Sequence, residues 1–216
     1  LAPTGLHVYE SGAVVLALEE DPHEPPARPF HVEALPEEAA REAVRLARRL
    51  ALPLEGYTAD GGFFVEGDSP LLEAHQRLLG VEAEGADLLR LSAPLVRLQV
   101  LAEGEAPVER RLEALPRGRQ AHVAESPKMP GVRFVSLTKE GVSKLSAARL
   151  VAEAYGLPLS ECAMVGDGEN DLELLRAVGV GIAMGNAPPS VKRAAQRVVA
   201  PVEACGLAEA LRLLRG

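Results

Sequence analysis

The sequence predicts an α/β protein in which a parallel-sheet core is joined to a small α+β unit, and three observations carry that prediction. From Thr138 onward, short apolar segments alternate strictly with helical ones, the pattern of a parallel sheet. Before that point, strands come singly or in adjacent pairs separated by single helices, the texture of a small α+β unit. Between Met164 and Asp171 an apolar strand runs into an acidic, glycine-containing turn that opens a helix: Gly166 and Gly168 permit unusual backbone angles, and Leu172, Leu174 and Leu175 resume an apolar pattern. Asp167 and Asp171 therefore sit at the carboxyl end of a strand. Open α/β sheets bind ligands there, and clustered carboxylates suit a hard cation such as Mg2+.

Taken in order, residues 5–9 and 14–18 read as two short strands joined by a glycine turn, Glu10-Ser11-Gly12-Ala13. Residues 21–29 contain Pro22, Pro25, Pro26 and Pro29 with no apolar periodicity, so they are expected to form an extended linker and the first domain boundary. Residues 36–50 predict a helix: Pro36, Glu37 and Glu38 suit its positive end, and Ala39, Ala43, Val44, Leu46, Ala47 and Leu50 form its stripe. Residues 54–58 and 63–66 predict a strand pair around Ala59-Asp60-Gly61-Gly62. A helix capped by Asp68 or Ser69 extends to about Leu79, and residues 95–101 alternate as a half-buried strand. A third helix over 105–115 and strands over 120–125 and 132–137 complete an αββαβαββ unit. Beyond it come helix 146–155, strand 162–165, helix 171–178, strand 180–184, helix 190–196, strand 197–200 and helix 207–214.

The 216 residues allow one substantial core or two modest ones. A formal net charge of -8, with no Lys/Arg-rich run, argues against nucleic acid as the main partner but not against one small phosphorylated ligand. Cys162 and Cys205 are far apart and lack metal-type spacing, so they read as two small buried apolar residues in a reducing compartment. No apolar run approaches the roughly 20 residues that span a bilayer, and no signal peptide is visible, which makes the cytoplasm the default compartment. The chain begins Leu1-Ala2-Pro3 without methionine, which suggests a truncated or processed form. Arginine is the usual cation here, and the four lysines are Lys128, Lys139, Lys144 and Lys192.

The acidic turn has a plain structural explanation as well, since Asn170 or Asp171 could cap the helix and Asn170 with Glu173 resembles a capping box. It is not an EF-hand: counting from Asp167, the sixth position is Leu172 and the twelfth Val178. Its company favours chemistry. Lys144, in Gly141-Val142-Ser143-Lys144, stands at the start of the preceding helix, where a cation is disfavoured unless an anion is bound. Downstream, Gly181-Ile182-Ala183-Met184-Gly185-Asn186-Ala187 is a strand ending in a Gly-Asn turn.

Together these three segments resemble the carboxyl half of the haloacid dehalogenase (HAD) superfamily, in particular its Cof-type, subfamily IIB phosphatases, almost residue for residue over 141–187. Glu10-Ser11-Gly12-Ala13 is similar to that family's Glu-Asn-Gly-Ala segment, with Ser11 in place of asparagine. The resemblance implies a Rossmann-like HAD core formed by residues 1–30 and 138–216 and a C2B-type cap formed by 31–137. It implies Asp167 as a direct Mg2+ ligand and Asp171 as a ligand through water or an orienting group. Lys144 would stabilise the nucleophile and the transferring phosphoryl group, and Asn170 would bind the phosphate or its acceptor carboxylate. In the cap, His122, Lys128 and Arg133 are candidate contacts to the leaving group.

One part of the family pattern is missing. The nucleophile there lies in an Asp-x-Asp-Gly-Thr motif, and among Asp21, Asp60, Asp68, Asp87, Asp167 and Asp171 no two are separated by one residue. Roughly 40 to 50 residues, a strand, a helix and a strand, are expected before Leu1. The function implied is a Mg2+-dependent phosphatase of a small phosphorylated metabolite, a sugar phosphate, phosphoglycolate or a phosphoglycerate-type ester, working as a monomer or homodimer without nucleic acid or membrane. A non-catalytic Mg2+ and phosphate-ligand binding protein and a phosphomutase stay open beside it.

Overall fold

A computed structural model describes residues 4–18, 27–103, 118–126 and 128–215. The chain packs as two compact units, Leu1–Ser143 and Lys144–Gly216. This grouping by packing joins residues 1–30 to the segment that follows them, whereas the sequence joins them to 138–216.

The first unit opens with a three-stranded antiparallel sheet, β1 (Gly5–Tyr9), β2 (Val14–Leu18) and β3 (Ala27–Val32). Strand β3 corrects the extended linker expected over 21–29: Ala27, Arg28 and Pro29 pair with Leu18, Ala17 and Leu16. Proline hides strands in a sequence because it cannot donate to the ladder, but β3 is an edge strand, where Pro29 is tolerated. The rest of that linker, 21–26, lies outside the described residues, as does the helix expected over 105–115.

Next comes a six-stranded sheet in the order β6-β5-β4-β7-β9-β8, from β4 (Leu54–Thr58), β5 (Phe63–Glu66), β6 (Glu84–Gly85), β7 (Leu95–Glu103), β8 (Arg119–Ser126) and β9 (Met129–Lys139). Helix α1 (Glu37–Arg49) begins after Pro36 with Glu37 and Glu38 in its first turn and ends on Arg48 and Arg49, charges that complement its dipole. Its apolar stripe, Ala40, Ala43, Val44 and Ala47, packs with Leu54, Leu98, Val100, Val135 and Leu137. Gly56 lies on that face because a Cβ there would come within 2.9 Å of both Leu88 and Leu95.

Side chains alternate along strands, so the neighbours of those residues point the other way. That second face carries Glu55 and Tyr57, Arg97 and Gln99, Ser136 and Thr138, and Gln120 and His122, matched across the strands. Helix α2 (Pro70–Leu79), capped by the Ser69 hydroxyl accepting from the Leu71 N–H, covers one end of it through Leu72, packed with Leu101, Val132 and Phe134. Strand β7 is consequently buried on both faces rather than one. Strand β6 and the turn at Leu88–Arg90 have no apolar alternation to announce them; Arg48 anchors them by pairing with Glu66 and Asp87.

The second unit alternates helix and strand as expected: α3 (Lys144–Ala154), β10 (Ala163–Gly166), α4 (Leu172–Ala177), β11 (Val180–Ala183), α5 (Pro189–Ala194), β12 (Arg197–Val198) and α6 (Gly206–Arg215). The three strands form a parallel sheet in the order β10-β11-β12. Ala183 packs with Leu175 and Val191 on one face, and Ile182 with Met184, Val199 and Ala210 on the other. Helices therefore cover both faces, as in a Rossmann-like core.

Candidate functional site

The acidic turn is built backwards from Asp171. Strand β10 ends at Gly166, where a Cβ would lie 2.7 Å from Asp171 Oδ2, so only glycine lets the carboxylate rest against the backbone. Asp171 is 4% exposed, and its Oδ2 accepts from the backbone N–H groups of Asp167 and Gly168, both at 3.1 Å. Its Oδ1 accepts from Lys144 Nζ at 2.5 Å. A buried carboxylate is costly unless charge and hydrogen bonds compensate it, and here one ammonium and two amides do so. Asp171 does not cap α4, because its side chain turns back into the loop instead of forward onto the helix.

That bracing fixes Asp167 in the opposite sense, exposed at the head of the turn. Its Oδ2 accepts from Asn186 Nδ2 at 3.0 Å, and Asn186 Oδ1 accepts in turn from the Val202 N–H at 3.1 Å. The other Asp167 oxygen has no hydrogen bond among the described residues. Asn170 is exposed on the same turn, and a Cβ on Gly168 would lie 2.5 Å from its Oδ1. Ser190 Oγ donates to Glu169 Oε1 at 2.9 Å and ties the turn to the start of α5.

The structure thus brings Lys144, Asp171 and Asp167 together and leaves Asn170 beside them without a hydrogen bond to any of the three. Asn186 was missed as a site residue. The signal for it was its place at the end of β11, whose register puts Ala183 beside Gly166. Among the described residues no group of three or more His, Cys, Asp or Glu clusters around one point. A closed cage of protein ligands is therefore absent among them, but Mg2+ keeps several waters and takes one or two carboxylates plus substrate phosphate, which the open Asp167 oxygen fits.

The other three candidates lie in the first unit. His122 shares the polar face of the six-stranded sheet, its Nε2 3.0 Å from Thr138 Oγ1 and 3.1 Å from the Val142 carbonyl. Arg133 is on the opposite face, where it pairs with Glu125 at 3.5 Å. Lys128 stands in the turn between β8 and β9, its backbone N–H on Ser126 Oγ. No helix among the described residues is long and apolar enough to cross a membrane.

The site is thus a parallel α/β sheet with paired aspartates after one strand and a lysine at the head of the preceding helix reaching the second of them. The family model for haloacid dehalogenase-like hydrolases matches residues 111–211. A putative phosphatase from Haemophilus influenzae is 33% identical over 112 residues, 52% of this chain and 41% of that protein. An uncharacterized protein from Geobacillus stearothermophilus is 43% identical over 75 residues, 35% of this chain and 79% of its own length. In structure, a HAD subclass IIB sugar phosphatase aligns with a TM-score of 0.79 over 97% of this chain and 75% of that one, at 20% identity. The chain belongs to the haloacid dehalogenase-like hydrolases, as the motifs over 141–187 implied. The sequence matches span less than half the length of relatives described as a putative phosphatase, a phosphoglycolate phosphatase and an HMP-PP phosphatase.

Proposed function

We propose that this chain is part of a Mg2+-dependent phosphatase that hydrolyses a small phosphomonoester, with residues 31–137 supplying the cap and residues 138–216 the catalytic side of the core. One observation carries the reading: a buried Asp171 simultaneously holds Lys144 and the backbone of Asp167, which positions a cation and an outward carboxylate on one turn. Bound at the open oxygen of Asp167, Mg2+ would neutralise phosphoryl charge. Asn186 holds the second oxygen of Asp167 and so fixes the carboxylate plane.

Lys144 gives one ammonium hydrogen to Asp171 and keeps two for the oxygens of the transferring phosphoryl group and its acceptor. Asn170 contributes an amide to the same phosphate. The attacking carboxylate is not among the 216 residues, since none of their aspartates forms an Asp-x-Asp pair, and it would be carried by another part of the protein. The cap excludes water and selects the leaving group. Residues 1–30 belong to the core in this reading, and the protein works in the cytoplasm as a monomer or homodimer. The relatives support it, being described as phosphatases of phosphoglycolate, of HMP-PP and of sugars.

The test uses the protein at its full encoded length, screened against a panel of phosphate esters with Mg2+. Lys144→Ala is expected to lower kcat by about 10²–10³, the usual cost of losing one charge-stabilising donor, and also to lower the melting temperature, because the buried Asp171 loses its counter-ion, so kcat is compared at a temperature where the variant is folded. An unchanged rate in that variant would remove Lys144 from the chemistry.

A further inference from the structure

The acidic turn holds two carboxylates but offers a cation only one open oxygen. Both oxygens of Asp171 are spent inside the protein, on Lys144 and on the N–H groups of Asp167 and Gly168. Asp167 Oδ2 is occupied by Asn186 Nδ2 at 3.0 Å. Its partner oxygen is what remains for a metal ion among the described residues of this turn.

Asn186 can make its bond in one sense only. A backbone amide donates and never accepts, so the Asn186 atom that meets the Val202 N–H at 3.1 Å is the oxygen, and Nδ2 is left to face Asp167. Turning the amide over would lose both bonds. The backbone beneath Asn186 is held as firmly. Met184 N–H donates to the Gly166 carbonyl at 2.9 Å, Gly185 N–H to the Ala200 carbonyl at 3.2 Å and Ala187 N–H to the Met184 carbonyl at 3.0 Å. The turn after β11 lies backbone to backbone against the segment that carries Val202, since a Cβ on Gly185 would come within 2.6 Å of the Pro201 nitrogen. Cys205, exposed and not buried as the sequence predicts, has φ 58° and closes that segment, its N–H donating to the Val202 carbonyl at 3.2 Å. Asn186 itself is exposed, and hydrogen bonds there add little net stability, so the bracing serves the carboxylate it holds.

We infer that Asn186 is a positioning residue that sets metal selectivity: by occupying Asp167 Oδ2 it restricts Asp167 to coordination through one oxygen, which biases the site toward Mg2+ and against Ca2+. Ca2+ gathers about six to eight oxygens and often takes a carboxylate through both of its oxygens, whereas Mg2+ is octahedral, keeps several waters and needs one oxygen from a carboxylate. A cation chelated by both Asp167 oxygens meets the amide hydrogen of Asn186 at Oδ2, and Asp171 has no open oxygen to add. The inference rests on the Mg2+-dependent reading above and deepens it.

The test follows displacement of Mn2+ from the protein at its full encoded length, with free Mn2+ read by electron paramagnetic resonance, as Mg2+ or Ca2+ is added to the wild type, Asn186→Ala and Asn186→Asp. In Asn186→Ala the ratio of Ca2+ to Mg2+ affinity should shift toward Ca2+ at least about tenfold, within the range usual when a group supporting a metal ligand is removed. Asn186→Asp keeps an acceptor for the Val202 N–H but faces Asp167 with an oxygen, and it should shift the ratio the same way. Thermal unfolding checks that the variants fold, and Asn186→Asp carries the comparison if Asn186→Ala does not. A purely structural role weakens both ions alike. Equal weakening, an unchanged ratio or a shift toward Mg2+ in a folded variant therefore overturns the inference and leaves the phosphatase reading standing. No Mn2+ binding by the wild type, or binding retained in full by Asp167→Asn, overturns both.

Discussion

Asp171 and Asp167 look equivalent in the sequence, two acids in one turn, but burial separates their work. Asp171 is enclosed and spends both oxygens inside the protein, whereas Asp167 is exposed with one hydrogen bond from Asn186. Asp171→Ala should therefore destabilise the protein by about 2–4 kcal/mol, since two amides lose a charged acceptor and Lys144 loses its partner. Asp167→Asn should cost less than about 0.5 kcal/mol, as for most surface substitutions. Urea denaturation of both variants checks this; equal losses would contradict the division of roles. The sequence identified both residues, yet not which was the brace, because that depends on the contact with Gly166 and on Lys144, 27 residues away.

At the scale of elements, α1, β4, β5 and the alternating second unit were legible because their apolar spacing and caps agree with their packing. Strand β3 was not, since Pro29 argues against a strand unless its edge position is known. Strand β7 was expected to be half-buried from its alternation, but its polar residues are enclosed on the second face, where Gln99 donates to the buried Glu55. The end of β3 and the end of β9 are tied by Lys139 Nζ on Glu33 Oε2 at 2.5 Å, with His31 on the other carboxylate oxygen at 3.3 Å. The hydrogen bond from Lys139 holds the Glu33 carboxyl below the ordinary glutamate range, with the Lys139 charge and His31 adding to it. A lowered acid pKa favours the folded state above the unfolded pKa, and that contribution is lost as pH falls through the folded value. In Lys139→Gln, the Glu33 carboxyl followed by NMR should titrate back near the ordinary value; a titration that stayed low would show that Lys139 is not the cause.

For the molecule as a whole, the family and the α/β architecture were readable because the Gly-Val-Ser-Lys, Gly-Asp-Gly-Glu-Asn-Asp and Gly-x-Ala-Met-Gly-Asn-Ala segments each place a chemical group at the end of a strand or the start of a helix. Residues 1–30 group with the segment that follows them by packing and with 138–216 by the family pattern, because a boundary set by packing between distant segments leaves only composition as its trace in the sequence. A net charge of -8 is compatible with the proposed anionic ligand only if local groups, and not a global field, hold it. The central claim is that Asp167 holds Mg2+ for phosphoester hydrolysis. Its most direct measurement is phosphate release by the protein at its full encoded length, titrated with Mg2+ after chelation, beside Asp167→Asn. The account predicts that hydrolysis returns with added Mg2+ in the wild type and falls by at least about 10² in the variant. Undiminished hydrolysis without Mg2+, or in Asp167→Asn, would contradict it.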